Sequence, residues 1–332
     1  MAKYIPQLLL AALFAATCAG AANAQTRKAL IVAEPQHGIG YLPLYIAIDN
    51  GYFAEQGIDV TILTIESGAG HTNAVLSGQA FAFIGGPEHD AFAKLKGAEL
   101  RSVVNVVDRG NVYFVAAKGK EPAPGQPMAD YFRGKTIAAG PFGGTPNSIT
   151  RYLLKKYGLD VAKDATILET ASSAVVATLK TGQAQIGNVN EPSITRGERE
   201  GIFGEPFLSI PGEFGPYAYS TLNVRLDSIQ KGPDTVKKFV DGVVKGLAFV
   251  FADPDAAIKI AKKEFPTMSD EDLSATIHRS LKDSMWSHDG SISRQAWNTA
   301  QSVVREAGIL KQDVPYDDII DMRFLKGKQS TN

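Results

Sequence analysis

The segment FGGTPNSI, residues 142–149, has the residue types of an anion-binding helix start. Gly143 and Gly144 allow a tight turn of the backbone. Thr145 suits the N-cap position and Pro146 the first helical turn. Apolar positions then repeat at helical spacing, at Ile149, Tyr152, Leu153 and Tyr157. Because the first N–H groups of a helix are unpaired and partly positive, this segment is predicted to hold an anionic or polar group.

The motifs that would make such a site catalytic are missing. The turn has no Lys of a nucleotide-hydrolase phosphate loop, and the chain has neither G-x-G-x-x-G nor G-x-S-x-G. Ser172 and Ser173 lie at a predicted helix start, where serine commonly caps the helix. We therefore expect no catalytic residue here.

Three histidines fall in three separate predicted loops. They are His37, His71 and His89, with Glu88 beside the last. Three histidines could hold a metal ion, but no two of them share one element at a ligand spacing such as H-x-x-x-H. The alternative is that each one makes a hydrogen bond or touches a ligand separately. We expect neither a metal ion nor a cofactor.

Predicted strands and helices alternate from residue 28 in two series of similar order. KALIVAE, IDVTILTI and AFAFIGG are strands of the first series, and KTIAAG, ATILE and AQIGNV are strands of the second. Such alternation predicts an α/β fold with parallel strands and helices on both faces. A Pro- and Gly-rich stretch at 118–134 marks a boundary, and the segments 111–117 and 217–224 are candidate crossings between the halves.

Ligands of parallel α/β sheets bind beyond the carboxyl ends of the strands, which selects six loops. The loops are EPQHGIGY, ESGAGH, GGPEHD, AGPFGGT, ETASSA and NVNEP, and two facing lobes would bring them to one cleft. Their candidate ligand contacts are Gln36, His37, Tyr41, Ser67, His71, Glu88, His89, Phe142, Gly143, Gly144, Thr145, Asn147, Ser173, Asn188, Asn190 and Glu191, with Tyr217 as a further wall.

Glu88 and Glu191 leave the charge of the ligand open. A carboxylate facing the cleft would repel a bare anion but would attract an amine or a protonated ring nitrogen. Alternatively, both carboxylates lie at helix starts, where they interact with the helix dipole.

Composition and the N-terminus place the chain among exported proteins. The 332 residues have a net charge of −1, which gives no support for nucleic-acid binding. Lys3, the apolar run 8–16 and Ala22-Asn23-Ala24 match a signal peptide of residues 1–24 that is cleaved after Ala24. Cleavage would remove the single cysteine, Cys18, and would leave 33 basic and 35 acidic residues. We expect a periplasmic protein without disulfides.

Five stretches, in order, resemble one family. They are GYLPLYIAIDNGYFAEQGIDVTI, AVLSGQAFAFIGG, FRGKTIAAGPFGGTPNSITRYLLKKYGLD, VVATLKTGQAQIG and DGSISRQAWNTAQSVVREAGIL. The chain is similar through them to the solute-binding proteins of ABC importers for nitrate, sulfonate and taurine. This family also includes the binding proteins for pyrimidine precursors of thiamine.

The resemblance implies a two-lobed periplasmic-binding-protein fold of type II, with two hinge crossings and C-terminal helices. Lobe 1 would comprise residues 25–114 and 219–332, and lobe 2 residues 115–218. The partners would be a small-molecule ligand and an ABC permease in the inner membrane, and the protein would be a monomer. Related thiamine-pyrimidine synthases carry a cysteine-rich iron motif that the mature chain lacks, so the resemblance does not carry over their enzymatic activity.

The sequence thus predicts a periplasmic substrate-binding component of an ABC importer rather than an enzyme. The preferred ligand is a sulfonate or an aromatic carboxylate, which would use both the helix starts and the aromatic walls. The first alternative is a pyrimidine or another nitrogenous ring compound, which would use the carboxylates. An alternative from another class is a periplasmic enzyme with its active site in the same cleft.

Overall fold

The computed structural model describes residues 27–325 as two α/β lobes. The predicted signal peptide, with Cys18, lies outside the described residues. The strands are β1 (Lys28–Glu34), β2 (Ile58–Thr64), β3 (Ala82–Gly85), β4 (Leu100–Arg109), β5 (Tyr113–Ala116), β6 (Thr136–Ala139), β7 (Thr166–Glu169), β8 (Ile186–Val189), β9 (Leu208–Ser209) and β10 (Pro216–Arg225).

Thirteen α-helices are present among residues 27–325, and all the elements after β10 are helical. The helices are α1 (Leu42–Asp49), α2 (Gly70–Leu76), α3 (Glu88–Lys94), α4 (Met128–Phe132), α5 (Thr145–Lys156), α6 (Val175–Lys180), α7 (Ser193–Arg199), α8 (Ile210–Phe214), α9 (Leu226–Lys231), α10 (Pro233–Ala252), α11 (Pro254–Glu264), α12 (Asp270–Lys282) and α13 (Arg294–Glu306).

Each lobe is built on one five-stranded sheet. The first sheet has the order β2-β1-β3-β10-β4 and the second the order β7-β6-β8-β5-β9. Strands β1, β2 and β3 pair in parallel, as do β6, β7 and β8, whereas β10 and β5 run antiparallel to their neighbours. We call the elements around the first sheet the first lobe and those around the second sheet the second lobe. The predicted alternation of parallel strands and helices is confirmed.

Sequence and burial agree strand by strand. The central strands β3, β5 and β8 are buried at every position, because helices cover both faces of the sheet. Edge strand β2 alternates between buried and exposed at its start, as expected where one face meets water. Helix α10 buries one apolar face, which includes Phe239, Val243 and Leu247.

Two connections between the sheets run side by side. One leads from β4 to β5, and the other leads from β9 through α8 to β10. Pro216 pairs with Arg109 where they pass, and a Cβ atom on Gly110 would lie 2.4 Å from the Ile210 side chain. Close contact of the two connections therefore depends on Gly110. The sequence-based boundaries at 114/115 and 218/219 fall inside β5 and β10, and the exact division into lobes remains a prediction.

No helix within residues 27–325 has the length and apolar character that crossing a membrane requires.

Candidate functional site

A cavity lies between the two lobes, beyond the carboxyl ends of β1, β2, β3, β6 and β7. Its volume is about 50 Å³, which is room for a few water molecules. Five of the six predicted loops contribute to it, and NVNEP does not. The predicted site residues that line it are Gln36, Tyr41, Ser67, His71, His89, Gly144 and Thr145.

Contacts between the lobes close this cavity. The Thr145 hydroxyl donates to Glu88 Oε1 at 2.5 Å, and the Ser173 hydroxyl donates to Glu66 Oε2 at 2.8 Å. A Cβ atom on Gly68 would lie 2.1 Å from the carbonyl oxygen of Phe142, so these two loops meet only because residue 68 is glycine. The position of the lobes is therefore a closed one.

The helix start predicted at FGGTPNSI is present, but Thr145 is not its cap. Helix α5 begins at Thr145, Gly144 occupies the N-cap position without a side-chain bond, and Pro146 lies in the first turn. The hydroxyl of Thr145 is used across the cleft, by Glu88. The sequence interpretation of Thr145 as a cap was wrong because Thr145 is already the first helical residue, and Gly144 before it has the extended backbone of an N-cap.

Glu88 is a fully buried carboxyl group behind the cavity. Burial raises its pKa to about 7, partly offset by the hydrogen bond from Thr145. Its Oε2 atom has no hydrogen-bond partner among the described residues. Glu88 can therefore exchange a proton near neutral pH and donate or accept a hydrogen bond.

Two buried imidazoles stand next to each other at the cavity wall. The ring centroids of His71 and His89 are 4.7 Å apart. Burial lowers the pKa of His89 to about 4, and burial together with His89 lowers the pKa of His71 well below its usual value. Both nitrogens of His71 lack a partner among the described residues. Neutral His71, which lines the cavity, thus keeps one donor and one acceptor without a partner among the described residues.

Tyrosines form another wall, and the sequence identified only part of it. Tyr219 and Ser220, from the middle of β10, line the cavity although neither was predicted to do so. Tyr217 is fully buried and packs edge-to-face against Tyr219, with ring centroids 5.7 Å apart, outside the cavity lining. Extending the period-2 pattern of the strand from Tyr217 would have indicated Tyr219. Glu66 and Ser172 also line the cavity, each next to a predicted residue.

Besides Glu88 and Ser173, four predicted contacts are engaged within the protein instead of lining the cavity. The Asn147 amide donates to the carbonyl oxygen of Gly140 at 2.9 Å, and the Asn188 amide donates to that of Pro146 at 2.9 Å. Glu191 forms an ion pair with Arg279 at 3.1 Å. The fourth is His37, which pairs with Glu34 and Glu264.

His37 belongs to an ion-pair network of the first lobe. It lies 3.1 Å from Glu34 and 3.4 Å from Glu264, and its ring stacks on Tyr45. The hydrogen bond to Glu264, followed by that to Glu34, raises the pKa of His37 to about 9. His37 is therefore cationic at neutral pH and paired on both sides, outside the cavity lining.

The remaining predicted residues lie around the cavity. Phe142, 55% exposed, and Gly143 line an outer groove of about 520 Å³. Asn190 lines a space of about 10 Å³ beside Gln36 and Tyr41. Whether these residues contact a ligand remains a prediction.

The lining contains one carboxylate but no lysine or arginine. Glu66 is part of the wall and Glu88 lies behind it. Arg109, near the first crossing, pairs with Asp108 at 2.6 Å. Among residues 27–325, no three His, Cys, Asp or Glu side chains are grouped as metal ligands would be. The cavity is a polar, tyrosine-walled site with acidic rather than basic character.

This fold and this site define a class, the two-lobed solute-binding proteins. The chain matches the NMT1/THI5-like family over residues 39–257, and it belongs to that family. The resemblance read from the sequence is thereby confirmed.

Relatives in this class are binding proteins. The chain is 26% identical over 301 residues to YtlA of Bacillus subtilis (strain 168), a candidate binding protein, covering 90% of this chain and 89% of that one. It is 27% identical over 331 residues to the riboflavin-binding protein RibY of Chloroflexus aurantiacus, covering 94% and 91%.

Solved structures share the fold. One is the ligand-binding component of an ABC-type import system from Staphylococcus aureus, with zinc bound; it has a TM-score of 0.71, 15% identity, and coverage of 91% of this chain and 99% of that one. Another is the alkanesulfonate-binding protein SsuA of Xanthomonas axonopodis pv. citri bound to MOPS, with a TM-score of 0.68, 15% identity, and coverage of 90% and 98%. The predicted periplasmic-binding-protein fold is confirmed, and these similarities support a binding role.

Proposed function

We propose that this chain is the periplasmic substrate-binding component of an ABC importer and delivers a small organic solute to a membrane permease. The observation that supports this most directly is the cavity between the lobes, which is lined by His71, a residue whose ring nitrogens have no partner among the described residues. Buried polar atoms without partners cost free energy, so a site that keeps them gains when a ligand pairs with them. The proposal includes export by the predicted signal peptide and a monomeric state.

The solute enters by separation of the lobes. A cavity of about 50 Å³ is far smaller than the roughly 300–1,000 Å³ of pockets that hold drug-sized ligands. Because Gly68 meets Phe142 and Thr145 meets Glu88 across the cleft, opening needs these contacts to break. A solute bound to both lobes would replace them and favour a closed, ligand-filled form.

We propose a neutral or weakly basic nitrogenous ring compound as the ligand, in preference to the sulfonate or aromatic carboxylate favoured by the sequence. No cation lines the cavity, and the start of α5 already faces the carboxyl group of Glu88. Neutral His71 and the titratable Glu88 match a ring that both donates and accepts hydrogen bonds. RibY, whose name gives riboflavin as its ligand, supports the same class.

We further propose that the protein binds its solute without converting it. None of the serines that line the cavity, Ser67, Ser172 and Ser220, has a hydrogen bond to a histidine among the described residues. A periplasmic enzyme would leave a product that mass spectrometry detects after incubation with the bound solute.

Thermal shift of the mature chain, residues 25–332, tests the proposal. The panel contains riboflavin, pyrimidines, sulfonates, aromatic carboxylates and nitrate. A ligand at a hundredfold its Kd adds about 2.7 kcal/mol of stability. Stabilisation by a nitrogenous ring, weakened in His71→Ala, supports the proposed class. Stabilisation by sulfonates alone would restore the sequence-based preference, and turnover of a bound compound would overturn the binding-only function.

A further inference from the structure

Helix α12 carries one polar stripe toward the second lobe. An adjacent face of the helix packs into the hydrophobic core through Leu273 and Ile277, and the helix contacts α11 of the first lobe. The stripe members recur every three or four residues, so they share one helix face. They are Ser269, Asp272, Thr276, Arg279 and Asp283.

Arg279 is the centre of the stripe and contacts three carboxylates of the second lobe. Its Nε lies 3.1 Å from Glu191, its Nη2 donates to Glu198 at 2.8 Å, and its Nη1 lies 3.4 Å from Glu205. Glu191 is 1% exposed and Glu205 82%, so the guanidinium reaches from the interior to the surface. Each donor edge of the guanidinium therefore faces a separate acceptor.

Other stripe residues contact the second lobe as well. The Thr276 hydroxyl lies 3.3 Å from Glu191 Oε2 and 3.1 Å from the Thr195 hydroxyl. Asp272 pairs with Arg199, and Asp283 accepts from the Tyr113 hydroxyl. All these partners belong to β5, to α7 or to the residues beside α7. The stripe is thus a continuous polar contact between the lobes.

We propose that the α12 stripe is a latch for the closed form, with Arg279 as its positioning residue; this rests on the proposed function, in which the lobes open and close. In the closed form Glu191 is buried and needs its cation. In an open form water can solvate both groups, so the latch releases without exposing an apolar surface. Glu191 also follows Asn190, which borders the space beside Gln36 and Tyr41. The latch therefore connects lobe closure to the solute site.

Two thiol reporters test the latch without any ligand, in a mature chain that has no cysteine of its own. The first reporter is the double variant Glu66→Cys, Ser173→Cys. A short bis-alkylating reagent crosslinks its two thiols only when the lobes are closed, because the native side chains of residues 66 and 173 are in contact in the closed form. Ser220 is 1% exposed in the closed form, so the thiol of Ser220→Cys should be alkylated by a monofunctional maleimide only when the lobes are open. The ratio of crosslinking rate to labelling rate reports the closed-to-open equilibrium, whichever form predominates.

Arg279→Met is expected to lower this ratio about tenfold, equal to roughly 1.4 kcal/mol. Arg279→Lys should recover part of it, and Glu191→Gln should add little once Arg279 is gone. The matched control is Arg294→Met, which removes an exposed ion pair with Asp317 that does not join the lobes. Equal ratios for Arg279→Met and Arg294→Met, with both proteins folded by circular dichroism, would overturn the latch. Failure of every ligand in the thermal-shift panel would leave this result unaffected, so the two proposals fail separately.

Discussion

Replacing Glu88 by glutamine should change how the stability of this protein depends on pH. Burial raises the pKa of Glu88 from 4.5 to about 7, and the carboxyl group is fully buried, so water does not screen this effect. Between these two pKa values the folded chain holds a proton that the unfolded chain has lost. Stability therefore falls as pH rises through this interval.

The size of the effect follows from the shift. A pKa difference of about 2.5 units corresponds to roughly 3 kcal/mol, at 1.36 kcal/mol per unit. Glutamine resembles the protonated carboxyl group and does not titrate. Glu88→Gln should therefore gain about 3 kcal/mol relative to the wild type between pH 4.5 and pH 8, or on the order of 5 °C in Tm.

Melting curves of both proteins from pH 4.5 to pH 8 measure this difference. The low pKa of His89, about 4, gives a slope of opposite sign, but this slope is common to both proteins and cancels. Glu55→Gln is the control, because the Glu55 carboxylate is 55% exposed and remains in water. If the Tm difference between wild type and Glu88→Gln stayed constant across this range, the assignment of Glu88 as a buried neutral acid would be refuted.

Three further changes give distinct outcomes. Gly68→Ala places a Cβ atom 2.1 Å from the Phe142 carbonyl oxygen, so it should lower the closed fraction in the thiol assay, whereas Gly204→Ala, with open space around it, should not. Asn147→Ala removes a buried amide that bonds Gly140, and should lower the free energy of unfolding by about 1–3 kcal/mol, measured by urea denaturation. The pKa of His37 is raised to about 9, so the stability that its ion pairs give is complete below about pH 6.5 and is lost as pH rises through 9. His37→Gln should abolish this loss of stability in melting curves recorded across that pH range. A His37→Gln protein with the pH dependence of the wild type would contradict the prediction.

The loops of the site were predictable because each follows a strand by a local rule. Gln36, Ser67 and His89 were placed by the carboxyl-end rule for parallel strands, and all three line the cavity. Tyr219 was missed because it lies in the middle of β10, where that rule does not apply. Ser220, the next residue of β10, also lines the cavity, and it was missed for the same reason.

Two buried carboxyl groups have different roles that the sequence did not distinguish. Glu88 and Glu191 look alike in the sequence, each beside a proline at a predicted helix start. In the structure, Glu88 has only a neutral partner, Thr145, and Glu191 has a cation, Arg279, 88 positions later. The first is therefore a proton-exchanging group behind the cavity, and the second is a partner in an ion pair, although both contact the other lobe.

The sequence by itself determined the α/β class, the parallel strands and the family, because period, turn residues and strand order are local properties of the chain. Tertiary structure alone decided which polar groups face the cavity, what their pKa values are and what closes the lobes. These depend on burial and on partners far apart in sequence, such as Thr145 with Glu88 and Arg279 with Glu191. Free energies of desolvation and pairing are set by that three-dimensional environment, and so the acidic, cation-free character of the site emerged only with the fold.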